Sequence, residues 1–80
     1  MLTVRYFAGA RAASGRAQEQ VTAGRPLDEV LAELGRRHGP ALGRVFEAAS
    51  FLVDGVACRD PRAPLPAGAT VDVLPPFAGG

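Results

Sequence analysis

Apolar and polar positions alternate at the start of the chain: Leu2, Val4 and Tyr6 share one parity, and Thr3, Arg5 and Phe7 share the other. A period of two with β-branched and aromatic side chains predicts a strand over Leu2–Ala8. The glycines and alanines of Gly9–Gly15 predict a loop or hairpin connection. Ala17, Glu19 and Val21 then alternate with Arg16, Gln18, Gln20 and Thr22, a weaker strand over Arg16–Ala23 that pairs with the first. Next the period lengthens. Leu27, Val30, Leu31 and Leu34 follow the i, i+3, i+4, i+7 spacing of a helix with one buried face, starting near Pro26. Asp28 and Glu29 fall in its first turn and Arg36, Arg37 and His38 in its last, each where the helix dipole favours that charge. Gly39-Pro40 is a firm stop.

Leu42, Val45 and Phe46 share one side of a second, short helix over Ala41–Ala48. Ser50–Val53 reads as an apolar strand, Asp54-Gly55 as a tight turn, and Val56–Arg59 as the returning arm of a hairpin. The proline-rich stretch Asp60–Gly68 crosses as a stiff loop, with Leu65 plugging the core. Ala69–Leu74 is a last strand, with Val71 and Val73 on one face and Asp72 and Leu74 on the other. A single main helix over a small mixed sheet, with the first and last strands parallel in its middle, closes one core. The expected fold is α+β, the β-grasp or ubiquitin-like arrangement, over residues 1–74, followed by an extended tail over 75–80. If Leu2, Val4, Tyr6, Val71 and Val73 face the helix, then Arg5, Phe7, Asp72 and Leu74 form an outward patch suited to a partner. In that patch Arg5 and Asp72 set register more than affinity.

Composition narrows the function. The chain has 80 residues, a formal net charge of +1 and 48% hydrophobic residues. A domain of this size buries roughly 60% of its extended surface and has little material left to enclose a deep substrate site. That favours a carrier, a binding module or a small subunit over a self-sufficient enzyme. Near-neutral charge gives no reason to expect nucleic acid, and no apolar run is long enough to span a membrane. No signal peptide is read, so the expected compartment is the cytoplasm. All nine basic residues are arginine, so no side-chain amine is present for Schiff-base chemistry. The single cysteine, Cys58, reads as a small, partly buried filler, and His38 as a favourable charge at a helix end. No bound cofactor and no metal site are expected.

After the last strand the sequence reads Pro75, Pro76, Phe77, Ala78, Gly79, Gly80. The proline pair cannot continue a ladder and launches a stiff extended segment. Six residues at roughly 3.3 Å each reach up to about 20 Å, enough to enter a partner's active site. Gly79 and Gly80 have no side chains and thread a narrow channel. The group delivered is the carboxylate of Gly80, a handle open to conversion by an ATP-dependent partner to an acyl-adenylate and then to attack by a sulfur nucleophile; the alternative reading is a frayed terminus.

These residues resemble a known family. The chain is similar to the small subunits of molybdopterin synthase, within the MoaD/ThiS group of ubiquitin-like sulfur carriers. The likeness rests on Val4–Ala8 with Gly15, on Pro26–Leu34, on Val53–Gly55 and, most specifically, on Leu65–Gly80. Two departures are Asp54 where asparagine is usual in the turn and Phe77 where a smaller residue often precedes Ala-Gly-Gly. The resemblance implies that an adenylyltransferase related to ubiquitin-activating enzymes adenylates Gly80, using ATP. Sulfur is then carried covalently on Gly80 as a thiocarboxylate, while Ala78 and Gly79 thread the partner. It also implies a large synthase subunit that takes the tail, in a heterotetramer, and sulfur transfer to a pterin precursor. Alternatives are sulfur supply to a thiamine, cysteine or tungsten-pterin pathway, a ubiquitin-like modifier joined to lysines, and a plain interaction module with an inert tail.

Overall fold

The computed structural model describes residues 1–76. Five strands and three helices follow in the order β1 (Leu2–Tyr6), α1 (Ala8–Ser14), β2 (Gln18–Val21), α2 (Leu27–His38), α3 (Pro40–Ala48), β3 (Ser50–Val53), β4 (Val56–Ala57) and β5 (Thr70–Leu74). The strands form one sheet in the order β2-β1-β5-β3-β4. β1 and β5 run parallel in its middle, with Val4 opposite Val71 and Tyr6 opposite Val73. The other pairings are antiparallel. This is the expected β-grasp arrangement, with all helices on one face.

The alternation read from the sequence puts the right side chains inward. Leu2, Val4, Tyr6, Val71 and Val73 are buried against Leu27, Val30 and Leu34 of α2, with Leu42 of α3 and Leu65 of the crossing loop closing the core. Two helical expectations change. Gly9–Gly15, expected as a loop, is mostly the helix α1, and three helices rather than one main helix plus a short one cover the sheet. Alanine is the best helix former, and α1 carries four in seven residues. One of them, Ala10, is buried, and the helix packs along α3 beside Val45. Gly15 ends it in the left-handed region at φ 72°, with its N–H donating to the Arg11 carbonyl. The strand expected through Ala8 accordingly stops at Tyr6, and Phe7 caps α1 in an extended conformation. The Asp54-Gly55 turn forms as read, both residues at positive φ (50° and 83°), which is what a two-residue hairpin with the native strand twist requires. Among the described residues no helix is long and apolar enough to cross a membrane.

Among the described residues two charged side chains are buried, Glu19 and Asp72. Glu19, on the inward face of β2, is buried. Its carboxylate accepts from the Tyr6 hydroxyl at 2.7 Å and from Arg37 Nη1 at 2.7 Å, and it lies 2.5 Å from His38 Nε2. His38 therefore does more than suit the helix dipole: it turns back under the sheet, edge-on to the Tyr6 ring. Arg37 also reaches Glu33, which pairs with Arg25. A buried charge is costly unless its lone pairs are occupied, and here donors from β1 and α2 occupy them. The cluster ties the last turn of α2 to an edge strand.

Burial pushes the Glu19 carboxyl upward, but the hydrogen bonds from Tyr6, Arg37 and His38 outweigh it and hold the group below its ordinary value of 4.5. The unfolded chain therefore binds this proton more readily than the folded one. Glu19 contributes stability in full above about pH 4.5, and the contribution is lost as pH falls through the lower folded value. Thermal melts of a Glu19→Gln variant are expected to start lower at neutral pH and to fall less steeply on acidification than those of the parent. Equal acid slopes would contradict this role. Part of the slope remains in the variant, because Glu33 is also held low, chiefly by its hydrogen bond from Arg25.

Candidate functional site

The candidate site is the end of β5 and what surrounds it. β5 is flanked on both sides, by β1 and by β3, so its last residue leaves from the centre of the sheet. Val73 is fully buried and Leu74 half-buried, and Pro75 and Pro76 are exposed immediately beyond. The Phe7 N–H donates to the Val73 carbonyl at 3.1 Å, which ties the end of β1 to the last turn of chain before the prolines. Pro75 and Pro76 are thus held at their root and unpaired past it. Phe77, Ala78, Gly79 and Gly80 lie outside the described residues.

Of the four residues expected in an outward patch, Phe7 and Leu74 line one groove with residues of α1 and α3, while Arg5 and Asp72 pair with each other. Arg5 and Asp72 are direct neighbours across β1 and β5. Arg5 Nε donates to Asp72 Oδ1 at 2.6 Å and Nη2 to Oδ2 at 2.8 Å, a two-pronged pair. The same guanidinium lies 5.7 Å from the centre of the Phe7 ring. Hydrogen bonding to Asp72 and its charge raise the Arg5 pKa above its ordinary value. Asp72 is 7% exposed although its face of the sheet is open, because Arg5 on one side and Leu52 of β3 on the other lie across it. Phe7 is 38% exposed, one of the few large apolar side chains left in water.

A feature not legible in the sequence adjoins these residues. Between α1, α3 and the end of β5 runs an apolar groove of about 280 Å³, lined among others by Phe7, Val45, Ala49, Leu74, Pro75 and Pro76. Its walls come from segments some forty residues apart (Phe7 from Val45, for instance). The sequence signal for it, small residues on α1 and at the end of α3, has meaning only once α1 is known to be a helix. Elsewhere, Cys58 is half-buried against the core and its N–H donates to the Phe51 carbonyl. Among the described residues no three His, Cys, Asp or Glu side chains converge to hold a metal ion.

A rigid root, unpaired prolines and a Gly-Gly sequence beyond them frame the comparison with known proteins. The sequence profile of the ThiS family matches residues 4–80. The chain belongs to the ThiS family. No curated protein sequence matches it significantly. Among solved structures, small archaeal modifier protein 1 from Methanosarcina acetivorans shares the fold at a TM-score of 0.83 and 24% identity, over 99% of this chain and 95% of that one. The crystal structure of small archaeal modifier protein 1 from Haloferax volcanii matches at a TM-score of 0.74 and 25% identity, over 99% and 98%. Subunits 1 and 2 of the molybdopterin-converting factor from Helicobacter pylori form a complex, and a chain of it matches at 0.70 and 22%, over 99% and 97%. The family and the fold make this ThiS-family chain a small carrier or adaptor. A protein of the same fold is known bound to a second subunit.

Asp72 is expected to depend on Arg5, and the pair on each other. In urea melts, Asp72→Ala is expected to lower the midpoint, and adding Arg5→Ala to it is expected to lower the midpoint no further. A fully additive double variant would show that the two side chains act independently.

Proposed function

We propose that this chain is a carrier activated at the carboxylate of Gly80. A partner adenylyltransferase of the ubiquitin-activating kind joins the Gly80 carboxylate to AMP, releasing pyrophosphate from ATP. A sulfur donor then displaces AMP, leaving a thiocarboxylate on Gly80. The observation that carries the reading is the exit of Pro75 and Pro76, exposed and unpaired, from the end of the doubly flanked strand β5. A sequence of Phe77-Ala78-Gly79-Gly80 follows them directly. Prolines stiffen the start of the arm, and side-chain-free glycines suit a narrow channel at its end. No lysine, metal cluster or deep cleft on this chain is needed, because nucleotide and acid–base groups belong to the partner. ATP is the partner's substrate, and the reactions belong in the cytoplasm.

Two fates of the activated carbonyl are open to such a carrier. Likeness to the small archaeal modifier proteins supports attachment of Gly80 to lysine amines of other proteins. Having no lysine itself, the chain offers no side-chain amine on which such a tag could be extended. Membership of the ThiS family supports the second fate, delivery of the sulfur atom. Its recipients would be a thiamine, cysteine or other sulfur pathway, or a pterin precursor held by the large subunit of molybdopterin synthase, of which this chain would be the small subunit in a heterotetramer. The complex from Helicobacter pylori is the observation favouring that last recipient. In either fate the outward Phe7 and Leu74, with Arg5 and Asp72 beside them, form the partner-facing patch at the root of the tail, and Ala78 and Gly79 thread.

The test is mass spectrometry of the full chain after incubation with ATP, its activating enzyme, a sulfur source and lysine-bearing acceptor proteins. Replacement of one oxygen by sulfur at Gly80 is expected. Thiol-stable conjugates through Gly80 identify the modifier fate, and loss of the sulfur to a small-molecule acceptor identifies the donor fate. Active partners that leave Gly80 unaltered would overturn the reading.

A further inference from the structure

The helix α1 is held lightly. Its only fully buried side chain is Ala10, no acidic residue lies in its first turn, and no side chain caps it. At seven residues, with Gly9 among them, it is too short to stand on its own hydrogen bonds. Among the described residues, every hydrogen bond made by Ala8–Ser14 stays within Phe7–Arg16. The chain on either side is fixed. The Phe7 N–H donates to the Val73 carbonyl at 3.1 Å, and the Tyr6 N–H to the Ala17 carbonyl at 2.8 Å. Both junctions of the helix are left-handed, Ala8 at φ 49° and Gly15 at φ 72°. Glycine adopts that conformation freely, but Ala8 carries a Cβ and is strained. The groove of about 280 Å³ lies between this helix and α3, so part of the inner side of α1 meets no packed neighbour.

We propose that α1 is a hinged lid, which detaches from α3 and unwinds between Ala8 and Gly15 while the sheet and α2 stay closed. Opening releases the strain at Ala8 and breaks hydrogen bonds only within Phe7–Arg16. Its main loss is the burial of Ala10 and the contact along α3, a small apolar area. Once detached, a helix of seven residues does not persist, so leaving α3 and unwinding are one event. With the lid open, Val45, Ala49 and Leu74 lose a wall, and the groove becomes an open apolar face beside Pro75 and Pro76. The root of the tail therefore has two shapes, and Phe7, fixed to Val73, belongs to both. A protein shifts the lid only as far as it binds one shape better than the other. That bearing on partner choice rests on the carrier reading, whereas the opening itself does not.

The experiment is native-state hydrogen exchange on the full chain in low urea. The amides of Ala10, Arg11 and Gly15, bonded within the lid, are expected to share one opening equilibrium. That opening is expected to be about a hundredfold or more easier than the opening of Tyr6 and Phe7, and insensitive to urea because it exposes little surface. Steep urea dependence at Tyr6 and Phe7 is expected and reports an intact fold. Each hinge is then read from the far end of the lid. Ala8→Gly relieves the closed form and is expected to slow Gly15 severalfold, and Gly15→Ala strains it and is expected to speed Ala10 roughly tenfold. Lid amides as slow as Phe7, with the same urea dependence, would overturn the proposal, and so would lid amides with no protection at all. Fraying would overturn it too, seen as unequal equilibria along α1 or as a hinge variant that moves only the amides beside it. A lid that opens in a chain never loaded at Gly80 would keep this proposal and lose the carrier reading. A loaded chain whose lid stays shut would do the reverse.

Discussion

The parallel pairing of β1 with β5 is the constraint on which the rest depends. It joins the two ends of the chain in the middle of the sheet, with Thr3 opposite Thr70 and Tyr6 opposite Val73. Their inward side chains, Val4, Val71 and Val73, are fully buried and form the floor on which α2 lies. Because both strands point the same way, the end of β1 and the end of β5 emerge side by side. Phe7 therefore stands next to the root of the tail, and α1, which starts straight after it, supplies a wall of the groove there. The site follows from the topology, not from any one catalytic side chain.

Two ionic arrangements flank that central pair, one on each face. Outside, Arg5 and Asp72 bond across the β1–β5 seam. Inside, Glu19 gathers Tyr6, Arg37 and His38 at the β2 edge. Both act on register. A slip of one residue in β1 would carry Arg5 into the core, leave Asp72 without its donor and take the Tyr6 hydroxyl from Glu19. An inward-facing charge on an edge strand such as β2 also discourages another chain from adding to that edge.

Much of the fold was legible in residue order. The period of two read over Leu2–Ala8 and Ala69–Leu74, the apolar stripe of α2 and the Asp54-Gly55 turn are local signals; the turn and the helix formed as read, and the strands formed over the shorter Leu2–Tyr6 and Thr70–Leu74. The helix α1 was missed because Gly9–Gly15 carries no apolar stripe: its alanines are too small to mark a face, and its helicity shows through propensity and packing on α3. The Glu19 cluster was missed for another reason. Its partners are 13 to 19 residues away in sequence, so only the folded register brings them together. That Arg5 and Asp72 share a face was readable from parity, but not that they would bind each other so closely. The groove was not readable at all, since it needs α1, α3 and the end of β5 at once.

A root that does not yield when the tail is pulled is the physical requirement for a threaded carrier. The Phe7 N–H, bonded to the Val73 carbonyl at 3.1 Å, reports on it directly. Native-state hydrogen exchange at that amide is expected to be as slow as at the core of β1, proceeding only by global unfolding. Exchange at Phe7 as fast as at the exposed β4 hairpin would mean that the end of β5 frays, and would contradict a rigidly rooted tail.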